Sequence, residues 1–183
     1  MSDGNKDTIE IRRVLERDYD QFQTLSRAII QDLSQYYPYE VIKNYNDIFA
    51  RYFRGAFTKN TTYALGAFIG NQPVGLIVGE ERSRLLHIEL IGVIPKKMGI
   101  GRKLLSAFED IAKSKNLYCI YLVTSLKNIP AVSFYLKCGY NIDWVQKNFW
   151  YGWHYIQLSK QIYIKDWGEA DLLSDATRQS TIL

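Results

Sequence analysis

The sequence predicts a single-domain α/β (α+β) fold, a mixed central sheet of about six to seven strands flanked by helices on both faces. Three observations lead there. The chain has 183 residues, the size of one domain. Apolar residues recur with period two in some segments and period 3.6 in others. The two kinds of segment interleave in the second half, which favours parallel pairing there, whereas short turns in the middle favour antiparallel hairpins.

Taken in order, residues 1–7 are polar and expected to be disordered. Ile9 and Ile11, with Val14 beyond, alternate as a first strand. From Asp18 to Leu33 the apolar positions Phe22, Leu25, Ile29 and Leu33 recur at three and four, a helix face. SQYYPY (34–39) interrupts, with Pro38 as the breaker. Val41, Ile42, Tyr45, Ile48, Phe49, Tyr52 and Phe53 make the stripe of a second helix, for which Gly55 is the expected stop.

Strands Tyr63–Ile69 and Val74–Glu80 flank the turn Gly70-Asn71-Gln72, and a third strand, Leu85–Ile94, runs up to Pro95. Gly101–Lys115 is a helix by its stripe Leu104, Leu105, Phe108, Ile111 and Ala112. Leu117–Val123 alternates little, as a strand covered on both faces does. Pro130–Cys138 reads as a short helix closed by Gly139, and Tyr140–Gln146 with Trp153–Leu158 as a last hairpin. The domain is expected over 8–163, with a polar tail over 164–183.

Composition excludes several classes. Apolar content of 47% and charged content of 23% suit a soluble globular protein. A net charge of +4 suits an anionic ligand but is too small to argue for nucleic acid. Nor do the cations interleave with aromatics along one face, as stacking platforms for single strands require. The start MSDGNKDTIEIRR has no apolar leader, and no apolar run approaches the ~20 residues of a membrane helix, so a cytoplasmic protein without a membrane partner is expected. Cys119 and Cys138 sit in apolar surroundings without CxxC spacing and read as free thiols.

The sharpest local feature is VIPKKMGIGRKLL, residues 93–105. A strand ends, two glycines sit two apart and a helix begins. The first turn of a helix carries unpaired N–H groups and partial positive charge, which suit a phosphate. Gly99 and Gly101 let the backbone approach such a ligand, and Lys96, Lys97, Arg102 and Lys103 add charge at the rim. A tight turn with a solvated cationic face is the plainer alternative. The segment is neither a dinucleotide fingerprint, since Leu104 stands where the last glycine belongs, nor a P-loop.

KKMGIG resembles the signature of the GCN5-related N-acetyltransferase (GNAT) superfamily, which is Arg or Gln, two residues, Gly, one residue, then Gly or Ala. Lys96 takes the first place, keeping the charge without the planar fork of Arg. A second family mark is an Asn followed by a short helix that carries a Tyr and ends in Gly plus an aromatic. It matches NIPAVSFYLKCGY through Asn128, Ala131, Phe134, Tyr135, Gly139 and Tyr140. With the order of elements, the resemblance spans roughly four-fifths of the chain.

The resemblance implies acetyl-CoA as cosubstrate and an amine as acceptor, with direct attack on the thioester. It implies a cosubstrate site made of Ile91, Gly92, Val93, Lys96, Lys97, Met98, Gly99, Ile100, Gly101, Arg102, Lys103 and Asn128. Pro95 lies close to the turn, so either Ile91 or Val93 is the source of amides for the pantetheine arm. Tyr135 is the implied acid for the departing sulfur; its plainer reading is a core aromatic sharing a face with Ala131 and Cys138.

The strand Leu85–Ile94 suggests the base. By alternation one face is Leu86, Ile88, Leu90, Gly92 and Ile94; the other is Leu85, His87, Glu89, Ile91 and Val93. Burying two titratable groups there without purpose is costly. Glu89 is the candidate base or amine-orienting group and His87 the second choice, the alternative being a partnered Glu89 and a core histidine. No third ligand accompanies them, so no metal is expected.

The need for a base depends on the acceptor: near pH 7 about one α-amine in six is neutral, against about one lysine amine in 2,500. The acceptor side is expected between Tyr36, Tyr37 and Tyr39 on one loop and Phe149, Trp150, Tyr151 and Trp153 on the final hairpin. These aromatics suit an acceptor wall or a homodimer contact equally. The alternative function is a non-catalytic acyl-CoA-binding module.

Overall fold

Segments of period two in the middle of the chain pair edge to edge in the order they occur. The computed structural model describes residues 8–96 and 98–163; the expected disordered start, the polar tail and Lys97 lie outside them. Seven strands form one sheet: β1 (Ile9–Arg13), β2 (Thr62–Ile69), β3 (Gln72–Arg82), β4 (Leu85–Val93), β5 (Cys119–Ser125), β6 (Asn141–Gln146) and β7 (Tyr155–Gln161). Their order is β1-β2-β3-β4-β5-β7-β6, and the β4–β5 pair alone is parallel.

Four helices cover the two faces. The stripes of α1 (Tyr19–Leu33) and α2 (Tyr39–Thr58) bury Phe22, Leu25, Ile29, Phe49 and Phe53 against Phe68, Leu76 and Leu90. Phe22 lies 5.8 Å from Phe53 and 5.5 Å from Phe68 between ring centroids. Such pairs add ~0.5–1.5 kcal/mol each beyond area burial. On the opposite face α3 (Ile100–Ser114) and α4 (Ile129–Lys137) pack Leu104, Leu105, Phe108 and Tyr135 over Ile77, Leu86, Ile88, Ile120, Leu122 and Leu158. The loop before α2 turns Tyr37 inward, whereas Tyr39, expected beside it, is 75% exposed.

Gly55 does not stop α2. The helix runs on to Thr58, and Gly55 lies where it crosses β2, with room for no more than a tight Cβ 3.1–3.3 Å from Thr62. Packing outweighs the helix-breaking tendency of one glycine, about 1 kcal/mol.

The larger departure is in β4. Val78 pairs with Leu90, but its neighbour Gly79 pairs with Ile88, so Glu89 is an extra residue in β4, a β-bulge. The extra residue breaks the expected alternation. Leu86 and Ile88 face α3, while Leu90 faces α1 and α2; beyond the bulge Ile91 and Val93 pack toward α3. The ten residues therefore do not share two uniform faces, and Ile94 leaves the strand altogether.

The bulge depends on Gly79 opposite it. A Cβ there would lie 2.0 Å from the His87 carbonyl oxygen, which is backbone and cannot swing away. Gly79→Ala should lower the free energy of urea unfolding by about 2–3 kcal/mol. An unchanged unfolding midpoint would contradict this account of the strand.

Candidate functional site

β4 and β5 begin as a parallel pair, but only Leu85, Leu86 and His87 find partners, in Cys119, Ile120 and Tyr121. Past the bulge the two strands part, and a cavity of about 250 Å³ opens between them. Glu89, Ile91, Gly92 and Val93 line one side; Leu122, Val123 and Thr124 line the other. Asn128, Ala131, Phe134 and Tyr135 close it from α4, and Tyr36, Tyr37 and Tyr45 from the α1–α2 side.

The edge of β4 left open by the splay carries free backbone groups. Ile94 N–H donates to the Val74 carbonyl at 2.8 Å, and Val93 pairs opposite Gly75. Alternation in an antiparallel ladder then turns the N–H and C=O of both Val93 and Ile91 away from β3, toward the gap. Neither residue excludes the other as an amide source.

At the mouth, Gly99 is the N-cap of α3 with φ +71, a left-handed backbone that glycine adopts without penalty. A Cβ there would meet nothing within 4 Å, so the turn is open to a ligand. Lys103 N–H is satisfied by the Gly99 carbonyl at 3.2 Å, which leaves the amides of Ile100, Gly101 and Arg102 as a first turn without backbone partners among the described residues. The residues present thus fit a pyrophosphate through backbone donors.

The side chains around the turn are spent differently. Ile100 is buried in the core, Met98 is exposed, and Arg102 donates to the Lys137 carbonyl at 3.3 Å. Lys96 lines the cavity and donates to Asp32 Oδ2 at 2.7 Å, joining the turn to the end of α1. Of the turn residues Lys96 and Gly101 line the cavity, whereas Met98, Gly99, Ile100, Arg102 and Lys103 do not, and Lys97 is outside the described residues.

Tyr135 is 4% exposed, and burial pushes its phenol well above its ordinary range, so it stays protonated. Its hydroxyl makes no hydrogen bond among the described residues, although the ring borders the cavity. Asn128 caps α4 by accepting from Ala131 N–H at 3.3 Å, and it faces the cavity as well.

Glu89 reaches the cavity because the bulge swings it there. Its Oε2 accepts the Tyr52 hydroxyl of α2 at 2.8 Å. His87 packs on Tyr121 with ring centroids 4.7 Å apart, and it is not a cavity residue. Its Nδ1 lies 3.5 Å from Glu89 Oε2 without a hydrogen bond. Burial, and then the charge of Arg82, pull the imidazole down to about 4, so it is neutral and makes no ion pair with Glu89 at pH 7. Among the described residues no group of three or more His, Cys, Asp or Glu side chains could hold a metal ion.

Tyr52 and Tyr45 escaped the sequence reading. Both sit in the apolar stripe of α2, where a tyrosine bordering a site looks like any core aromatic. The hairpin aromatics Phe149, Trp150, Tyr151 and Trp153 are absent from the cavity wall. Phe149 and Trp150 pack on Tyr155, which in turn meets Tyr37 at 6.3 Å.

The model of the acetyltransferase (GNAT) family matches residues 26–140, a span running from α1 to the end of α4. The chain belongs to the GNAT family. Among GNAT structures the PaiA N-acetyltransferase of Thermoplasma acidophilum, solved in complex with coenzyme A, superposes with a TM-score of 0.70. It is 20% identical, over 84% of this chain and 99% of that one. The Escherichia coli ribosomal-protein-S18-alanine N-acetyltransferase gives a TM-score of 0.69 at 15% identity, over 88% and 97% of the two chains. These two show the shared fold.

A Bacillus subtilis (strain 168) relative, the uncharacterized protein YxbD, is 43% identical over 73 residues, 40% of this chain and 46% of YxbD. The match therefore spans about half the length of that relative. No helix among the described residues is long and apolar enough to cross a membrane.

The neutral His87 has a measurable consequence. The unfolded chain takes up a proton near the ordinary value of 6.5, whereas the folded one resists until about 4. Its contribution is intact above the unfolded value and is lost as pH falls toward the folded one. Urea unfolding should show a loss of roughly 2 kcal/mol from this group between pH 7.5 and 5. His87→Gln should flatten that slope, and an equal slope in both proteins would count against a buried neutral imidazole.

Proposed function

We propose that this GNAT protein is an N-acetyltransferase that passes the acetyl group of acetyl-CoA to a primary amine by direct attack. The observation that carries the reading is one cavity that runs from Lys96 and Gly101 at the α3 turn to Glu89 and Tyr135. At its end by the turn the backbone amides of Ile100, Gly101 and Arg102 hold the pyrophosphate, and inside it the free edge of β4 at Ile91 and Val93 holds the pantetheine arm. Lys96 works at the rim with its charge already shared with Asp32. The protein then works in the cytoplasm on a peptide N-terminus, a lysine or a small amine.

The chemistry asks for a proton acceptor on one side and a donor on the other. Glu89 takes the proton that the amine loses as the N–C bond forms. Tyr135 gives its proton to the sulfur as the C–S bond breaks, and exchange with solvent restores both groups. Net, one proton moves from nitrogen to sulfur. Burial keeps the phenol protonated and at the same time makes it a weaker acid, so its value rests on position, and a positioned acid is worth about 10²–10⁴-fold.

Thiol release from acetyl-CoA should be followed with peptides bearing free N-termini, lysine peptides, polyamines and aminoglycosides. Turnover is expected with one amine class, and Tyr135→Phe should reduce kcat by about 10²-fold. Because Tyr135 gives up no hydrogen bond among the described residues, the variant's melting temperature should stay close to wild type. Tight acetyl-CoA binding without turnover on any amine would favour the non-catalytic module instead.

Gly99→Ala tests the turn separately. A Cβ at φ +71 costs ~1–2 kcal/mol and intrudes where the phosphates approach. Acetyl-CoA binding by calorimetry should weaken at least about tenfold, a loss of roughly 1.4 kcal/mol. Wild-type affinity in this variant would place the cosubstrate elsewhere.

A further inference from the structure

The carboxylate at the bulge is not left to find its own orientation. Tyr52 Oη donates to Glu89 Oε2 at 2.8 Å, and Arg82 Nη2 donates to the same Tyr52 oxygen at 3.1 Å. Arg82 is itself held by Glu80, its neighbour two residues back on β3. The direction of each bond follows from the chemistry of the groups. A guanidinium can only donate, so the Tyr52 oxygen must accept from it and point its own proton at Glu89. Tyr52 is 2% exposed and does not line the cavity. Burial, and next the adjoining Glu89 charge, push its phenol above the ordinary range, so it remains a donor. Glu89 Oε1 makes no hydrogen bond among the described residues, while Glu89 as a whole borders the cavity.

We propose that Tyr52 is a positioning residue: its hydroxyl, aligned by Arg82, fixes Oε2 of Glu89 and leaves Oε1 to meet the incoming amine. The chain Glu80–Arg82–Tyr52–Glu89 crosses from β3 through α2 to β4 and orients the carboxylate from behind. The other titratable groups facing Glu89 act differently. His87 is neutral and lacks a hydrogen bond to it, and the phenols of Tyr37 and Tyr45 act at longer range. This inference rests on Glu89 as the base, and its test is arranged to separate the two.

Thiol release by the full chain should be measured with the amine class it turns over, for wild type, Tyr52→Phe, Arg82→Met, Glu89→Gln and the double variant of Tyr52 and Glu89. Tyr52→Phe keeps the ring and removes the donor, so kcat should fall about tenfold while the KM for acetyl-CoA stays as in wild type. In the Glu89→Gln background the same change should cost nothing further, because the group it orients is gone. Arg82 sits at the exposed end of β3, and Arg82→Met leaves the core untouched. It frees the Tyr52 hydroxyl to turn, and a smaller fall in kcat is expected. A wild-type kcat in Tyr52→Phe, or an equal further loss in the Glu89→Gln background, overturns the proposal. A fall in Tyr52→Phe with none in Arg82→Met overturns the part assigned to Arg82. Thiol release by Glu89→Gln at the wild-type rate would sink the base itself, whatever Tyr52→Phe does.

Discussion

The site exists because two neighbouring parallel strands stop pairing after three residues. A sheet normally satisfies every backbone group along its length, and a gap in its middle leaves donors and acceptors without partners. Here the bulge at Glu89 and the divergence of β4 from β5 create that gap in the centre of the sheet, walled by helices on both faces. The cavity, the free edge of Ile91 and Val93, and the approach to the α3 turn all follow from it. In the proposed reading the ligand completes the hydrogen bonding that the protein leaves unfinished.

The bulge also explains how one strand serves two purposes. With strict alternation a residue that faced α2 at position 87 would be followed by others at 89, 91 and 93 on the same side. The extra residue lets His87 and Glu89 both turn away from α3, Glu89 reaching Tyr52 of α2, while Ile91 and Val93 return to the α3 core. A titratable group is thereby delivered to a cavity without disturbing the apolar packing on either side of it.

Much of this was legible in the residues, and what was not has physical reasons. Period, apolar runs and turn chemistry located the seven strands and four α-helices of the described residues to within a few residues, because most helices carry an apolar stripe and the strands are bounded by turn residues. The GNAT marks KKMGIG and NIPAVSFYLKCGY pointed to the turn and to α4. The bulge was hidden, since LLHIELIGV reads as regular alternation and the reason to break it, Gly79, lies on another strand. The Tyr52–Glu89 bond joins residues 37 apart, and nothing in a helical stripe separates a donor from a packing aromatic. Gly55 misled for the opposite reason: a local breaker was overruled by contact with β2.

The α3 turn holds its ligand, on this reading, with backbone amides, while the acceptor end is built from the side chains of Tyr36, Tyr37, Tyr45 and Glu89. Backbone donors are indifferent to most substitutions; side chains are the thing substituted. Drift or engineering in the α1–α2 region can therefore retune which amine is accepted without altering which acyl donor is held, so the two halves of one cavity can evolve at different rates.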